Sequence, residues 1–419
     1  MCATLRVARE QLPRGGRSHE HRNHRQGPRQ HHLPPPLGHR VAERRDERRG
    51  VQALRRDEGV PQLVRRLGVG RRELHAQRVA GPPLPGAVGR VTVRRARSVP
   101  ARLERVGRLR LAVDLAPESK TGLLLKNPVM TASGTFSWGF EFAEHFDIEA
   151  LGAIVTKGVT PRPRAGNPQP RTAETPFGLL NSIGLQNVGI ERVIEEFAPR
   201  WAAWEVPVIV NLAPDRIEDF ATMARMLDGV PGIAALELNI SCPNVDEGGM
   251  EIGQDPEAAA AATRAVVRNT DLPVIVKLTP NVTDPVAIAQ ACEAAGASAI
   301  CAINTVLGVA IDIERRRPVI PRGRAGLSGP AIKPIALRFV WDVAQAVRIP
   351  VIGCGGIRTG EDAVEFLMAG ASAVQVGTAT FANPRAPLDV LEGLTRWMES
   401  HGVTDVREII GAALPRREA

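Results

Sequence analysis

Cysteine is scarce: the 419 residues contain five, Cys2, Cys242, Cys292, Cys301 and Cys354, and no C-x-x-C pair. That spacing argues against a structural zinc site or a disulfide framework and suits a reduced, cytoplasmic protein. No apolar run approaches the roughly 20 residues needed to cross a bilayer. The N-terminal region also lacks the apolar stretch of a secretory signal. Lysine is nearly as rare, at Lys120, Lys126, Lys157, Lys277 and Lys333. Beyond residue 108 only His145 and His401 remain of nine histidines, and neither follows a strand-like run. A histidine base or a histidine metal site is therefore not expected, and no metal is assigned.

Residues 1–108 contain no Phe, Trp, Ile or Lys and are dense in Arg, Pro, Gly and His. The first 110 residues hold 27 Arg and 9 acidic residues, for +18, whereas the remaining 309 hold 27 basic and 36 acidic residues, for −9. The formal charge of +9 describes neither part. So little bulky apolar surface cannot offset the entropy of ordering, so residues 1–108 read as a basic leader without a core. Short helical patterns occur near residues 51–56 and 62–66. A nucleic-acid arm would want aromatics to stack on bases, and a transit peptide would not carry nine acids. Translated upstream sequence, contributing nothing to activity, is the reading favoured for it.

From residue 109 onward, apolar strand-like runs alternate eight times with helix-like segments. They fall at residues 128–134, 153–158, 207–212, 234–239, 273–278, 299–304, 350–355 and 371–377. Continuous apolar strands imply a sheet buried on both faces, and eight β–α repeats imply a TIM (β/α)8 barrel over 109–419. Asp284-Pro285 starts one helix and Gly296 ends it. A doubly wound open sheet is the alternative, but residues 353–358 lack the third glycine of a dinucleotide fingerprint.

Barrel enzymes place their chemistry where the strands end. Those ends carry Ser133, Lys157 with Gly158, Asn211, Asn239, Lys277, Asn304 with Thr305, Gly355 with Gly356, and Gly377 with Thr378. Lys157 and Lys277 interrupt apolar strands, and a buried lysine needs a compensating partner. An anionic ligand is expected for them rather than a salt bridge inside the barrel. Paired glycines after strands 7 and 8 let backbone N–H groups approach a phosphate. The most polar exit is residues 237–244, where Asn239, Ser241, Cys242 and Asn244 surround Pro243. Cys242 is the best proton acceptor there, a free thiol titrating near pH ~8.5. These residues describe a barrel holding a phosphorylated molecule and a second polar ligand, with a thiol between them.

The motifs at residues 126–134, 166–171, 181–187, 238–244, 276–280, 303–305, 327–334 and 353–357, in that order, resemble dihydroorotate dehydrogenase, specifically the class 1B catalytic subunit. The resemblance implies one FMN per chain. Ser133, Lys157, Gly158, Asn211, Asn239, Lys277, Ile303 and Gly329 would hold its ring and ribityl parts, and Gly355, Gly356, Gly377 and Thr378 its phosphate. It assigns the substrate to Lys157, Asn181, Ser182, Ile183, Gly184, Leu185, Asn239, Asn244, Asn304 and Thr305. Cys242 becomes the base that takes the C5 proton of dihydroorotate, and residues 245–256 resemble a lid.

In class 1B the electrons pass to NAD+ through a partner subunit carrying FAD and a 2Fe-2S cluster, in a heterotetramer of two catalytic and two electron-transfer subunits. The fumarate-dependent class 1A and, more remotely, a Schiff-base aldolase are the alternatives. A basic leader that served only to bind nucleic acid would be a third.

Overall fold

The computed structural model describes residues 109–241 and 252–415. The leader, Cys242 and Asn244 lie outside these described residues. The eight runs form eight parallel strands: β1 (Val129–Thr131), β2 (Ile154–Val155), β3 (Val208–Leu212), β4 (Ala235–Asn239), β5 (Val274–Lys277), β6 (Ala299–Ala302), β7 (Val351–Cys354) and β8 (Ala373–Val376). They pair in sequence order from β2 round to β8, and β8 pairs with β1. A Met130–Ala153 bridge joins β1 to the segment entering β2 and closes the ring. The TIM barrel read from the periodicity is the fold observed.

Helices return the chain between strands. They are α1 (Phe140–Ala143), α2 (residues 190–201), α3 (Ile217–Leu227), α4 (Pro256–Val267), α5 (Pro285–Ala294), α6 (Lys333–Ala346), α7 (Gly360–Met368) and α8 (Ala386–Ser400). Their starts follow from the sequence. Asp284 Oδ1 accepts from the backbone N–H groups of Val286 and Ala287, and Gly296, at φ +98°, lets the chain turn away after α5. The outward strand faces and inward helix faces make one core, which includes Phe220, Phe339 and Phe366. Helices α7 and α8 touch backbone to backbone, since a Cβ on Gly360 would lie 2.1 Å from Gly393 C. Residues before the barrel add a small pair, Val113–Asp114 with Leu124–Leu125.

The barrel runs do not account for a four-stranded antiparallel sheet built from the loops after β2 and β6. Its order is Val306–Gly308, Ala325–Ser328, Gly178–Asn181, Thr172–Thr175. It carries Asn181 and Ser328 to the cavity at the strand ends. The region expected to form a lid, residues 245–256, is described only from Ile252 onward. There Ile252–Gln254 is a buried turn whose Gly253 N–H donates to Ile240 O at 2.8 Å, and Pro256 already belongs to α4. The lid reading itself falls on residues outside the described ones.

Candidate functional site

A cavity of about 510 Å³ opens at the C-terminal ends of the strands. Strand alternation explains its floor, because every second side chain points into the barrel. In register, Asn211 sits beside Glu237 and Asn239 beside Lys277. Asn211 Nδ2 donates to Glu237 Oε1 at 2.7 Å, and Gln375 Nε2 donates to Glu237 Oε2 at 2.6 Å. Lys277 Nζ donates to Gln375 Oε1 at 2.8 Å and lies 3.7 Å from Glu237 Oε1. All four side chains are buried, Glu237 and Gln375 completely. Burial pulls the Lys277 pKa down, but Cys354, Glu237 and Cys301 push it up further, and the net shift is upward. Lys277 thus keeps its proton. The expectation that this lysine has no salt bridge inside the barrel is overturned: Glu237 is its partner.

Above the floor, the ends of β4 and β6 share a polar cluster. Asn239 Oδ1 accepts from Ser241 Oγ and Asn304 Nδ2, both at 3.1 Å, and Asn304 Nδ2 also donates to Ser241 Oγ at 2.6 Å. Lys157 projects from the β2 exit with no carboxylate paired to it among the described residues. Burial first, and then the nearby Arg171 charge, hold its pKa below that of an ordinary lysine. It fits the role of a cation awaiting an anion. On the opposite wall, Gly329, Gly355 and Gly356 have φ of +91°, +137° and +80°, and Thr378 Oγ1 donates to Ser328 Oγ at 2.8 Å. A Cβ on Gly356 would lie 2.7 Å from Lys333 Cβ and 2.9 Å from Lys333 N, where α6 begins. Only a glycine backbone leaves this cradle open.

The sequence profile of the family described as dihydroorotate dehydrogenase matches residues 117–398. The chain belongs to the dihydroorotate dehydrogenase family. It is 53% identical over 309 residues to the dihydroorotate dehydrogenase B (NAD(+)) catalytic subunit of Geotalea uraniireducens, covering 74% of this chain and 100% of that one. The subunit of the same name from Pelobacter propionicus is 55% identical over 291 residues, covering 70% and 96%. The crystal structure of dihydroorotate dehydrogenase from Eimeria tenella in complex with ferulenol has a TM-score of 0.60 at 22% identity, covering 72% of this chain and 88% of that one, a likeness of fold.

FMN is the cofactor this family implies, and the cavity fits it. Asn211 Oδ1 is buried with no hydrogen-bond partner among the described residues, so the floor lacks one donor that a ligand can bring. The glycine cradle on the β7 and β8 side is open where a phosphate would approach backbone. Gly356→Ala is expected to lower FMN content per purified chain several-fold, since the new methyl group meets the start of α6 and the backbone is held at positive φ. Flavin absorbance against protein concentration measures this.

All twelve residues expected to hold the cofactor line this one cavity, from Ser133 round to Thr378. Of the substrate set, Lys157, Asn181, Ile183, Gly184, Leu185, Asn239, Asn304 and Thr305 line it too. Ser182 stands behind the wall, buried, with Asn167 Nδ2 donating to its hydroxyl at 2.9 Å and to its carbonyl at 3.1 Å. Cys242 and Asn244 lie outside the described residues, directly after Ser241 of the polar cluster. Sequence reasoning missed Glu237 and Gln375. The signal was present: each is a polar residue inside a run of four or five otherwise apolar strand residues. It also missed Arg171, which lines the cavity and donates through Nη2 to Gln186 Oε1 at 2.5 Å.

Among the described residues no helix is long and apolar enough to cross a membrane.

Proposed function

We propose that this chain is an NAD+-linked, class 1B dihydroorotate dehydrogenase catalytic subunit that oxidises (S)-dihydroorotate to orotate in pyrimidine biosynthesis. The observation that carries the reading is the single cavity that gathers Lys157, Asn239 and Asn304 over a floor of Asn211 and Lys277, with the glycine cradle at one side. Ser133, Lys157, Gly158, Asn211, Asn239, Lys277, Ile303 and Gly329 hold the FMN ring and ribityl chain, and Gly355, Gly356, Gly377 and Thr378 its phosphate. FMN, when bound, accepts the hydride from C6 of the substrate.

The protein's own residues do the rest. Lys157 holds the substrate carboxylate, a contact that fades as pH rises through a lysine pKa that burial and then the Arg171 charge hold below the ordinary value. Asn181, Asn239, Asn244 and Asn304 meet the alternating N–H and C=O groups of the ring, as amides can both donate and accept. The shared Asn239 Oδ1 fixes this face, because the Ser241 N–H, the Ser241 hydroxyl and Asn304 Nδ2 all donate to it. Cys242 removes the C5 proton as thiolate.

Electrons leave through a separate subunit carrying FAD and a 2Fe-2S cluster, in a complex of two catalytic and two electron-transfer chains. Supporting this, the relatives are named catalytic subunits. The test follows dihydroorotate oxidation with fumarate, and with NAD+ in the presence and absence of the electron-transfer subunit. NAD+ reduction is expected only when that subunit is added. Rapid turnover with fumarate alone would place the chain in class 1A instead, and a colourless protein that takes up no FMN would sink the oxidoreductase reading.

A further inference from the structure

Three polar side chains, Asn211, Gln375 and Lys277, converge on the Glu237 carboxylate beneath the cavity. Glu237 accepts from Asn211 at one oxygen and from Gln375 at the other. A carboxylate has no proton to give, so each amide that faces it must turn its NH2 inward. For Asn211 this sends Oδ1 to the far side, where it stays buried and unpartnered among the described residues. For Gln375 it sends Oε1 toward Lys277, where only a donor is acceptable. Asn211 and Lys277 line the cavity; Glu237 and Gln375 do not. One residue behind the floor therefore sets which way the floor's hydrogen bonds run.

We propose that Glu237 is a positioning residue for the flavin's pyrimidine edge, acting on Asn211 directly and on Lys277 both directly and through Gln375. The inference rests on FMN occupying this cavity. That edge carries an N–H between two carbonyl groups, so it needs an acceptor and donors in a fixed order. Asn211 Oδ1 supplies the acceptor and Lys277 the charged donor, on strands that flank β4. A reversed Asn211 would set NH2 against N–H. The groups that face Lys277 are Glu237 on β4, Cys301 on β6, and Cys354 with its strand β7, besides the neutral Gln375 on β8. Without the carboxylate, only the two thiols remain to oppose burial, which is the largest influence on this lysine and acts to strip its proton.

The test is FMN binding to the deflavinated full chain, followed by fluorescence quenching from mildly acidic to alkaline pH. Wild-type affinity is expected to vary little with pH at Lys277, because its pKa lies above the ordinary lysine value. Glu237→Gln is expected to bind FMN about tenfold to a hundredfold more weakly at neutral pH, the range for a buried hydrogen-bond partner left mismatched. It should also shift the pH dependence, with affinity falling at lower pH than in wild type, because the Lys277 pKa loses the upward push of Glu237 while those of Cys354 and Cys301 remain. A Glu237→Gln protein with wild-type affinity and a wild-type pH profile overturns the proposal.

Gln375→Met, which keeps the charge pair, decides the matter if Glu237→Gln does not fold. About threefold or greater weakening supports the relay to Lys277, and unchanged affinity overturns it. Wild-type protein that takes up no FMN at all removes the cofactor reading itself, a result separate from either variant's behaviour.

Discussion

Cys242→Ala is expected to slow dihydroorotate oxidation about a hundredfold to ten-thousandfold at neutral pH, the contribution of a positioned general base, while FMN stays bound. His145 and His401 are remote from the cavity, and His401 is stacked on Trp397 with a ring-centroid separation of 4.0 Å. Ser241 is engaged with Asn239 and Asn304. The other thiol that lines the cavity, Cys354, sits against Cys301 and Lys277 on the floor. Lys157 is the proposed partner of the substrate carboxylate. No described group stands ready to replace the thiol of residue 242. FMN retention is expected because, apart from Asn239 at the end of β4, the residues proposed to hold it lie on other strands and loops. Steady-state turnover, set beside flavin content per chain, measures both. Turnover within tenfold of wild type would show that another group takes the proton.

Lys277→Met should be the most damaging single change to the barrel interior, costing about 3–5 kcal/mol of stability. The loss comes less from the missing attraction than from what is left behind. Glu237 is completely buried, and without the ammonium its charge is opposed only by two neutral amides. Denaturant unfolding of wild type and variant at neutral pH gives the comparison, and equal stability would show that Glu237 carries no stranded charge. FMN content should fall as well, since the floor loses its charged donor.

The barrel was legible because its strands announce themselves. Runs such as 207–212 and 273–278 are continuously apolar and end in Asn or Lys, and both the burial and the polar exits follow from that pattern. The cap sheet was not legible. Thr172–Thr175 and Val306–Gly308 are short and nowhere fully buried; the first is held by a tight hairpin to Gly178–Asn181, and the two halves of the sheet meet only through the distant pairing of Gly178–Asn181 with Ala325–Ser328. Lys277 shows the same limit in side-chain terms. Its isolation among valines and isoleucines signalled a partner, but whether that partner was a ligand or Glu237 depended on strand register, which brings β4 and β5 level. Ser182 was drawn in by its neighbours in a motif, whereas the turn from Asn181 to Gly184 buries its hydroxyl against Asn167.

The seam between β8 and β1 has a consequence in time. Val376 pairs with Thr131, and Ala132 N–H donates to Val376 O at 2.9 Å, so Ser133 and Gly377, two walls of one cavity, belong to opposite ends of the barrel sequence. The cap adds pairings such as Gly326 with Asn181, also far apart along the chain. During synthesis the first strand leaves the ribosome long before the last. Contacts of such long range form late. The apoprotein must therefore close its ring before it can capture FMN, and cofactor loading becomes a report that the whole barrel has been completed.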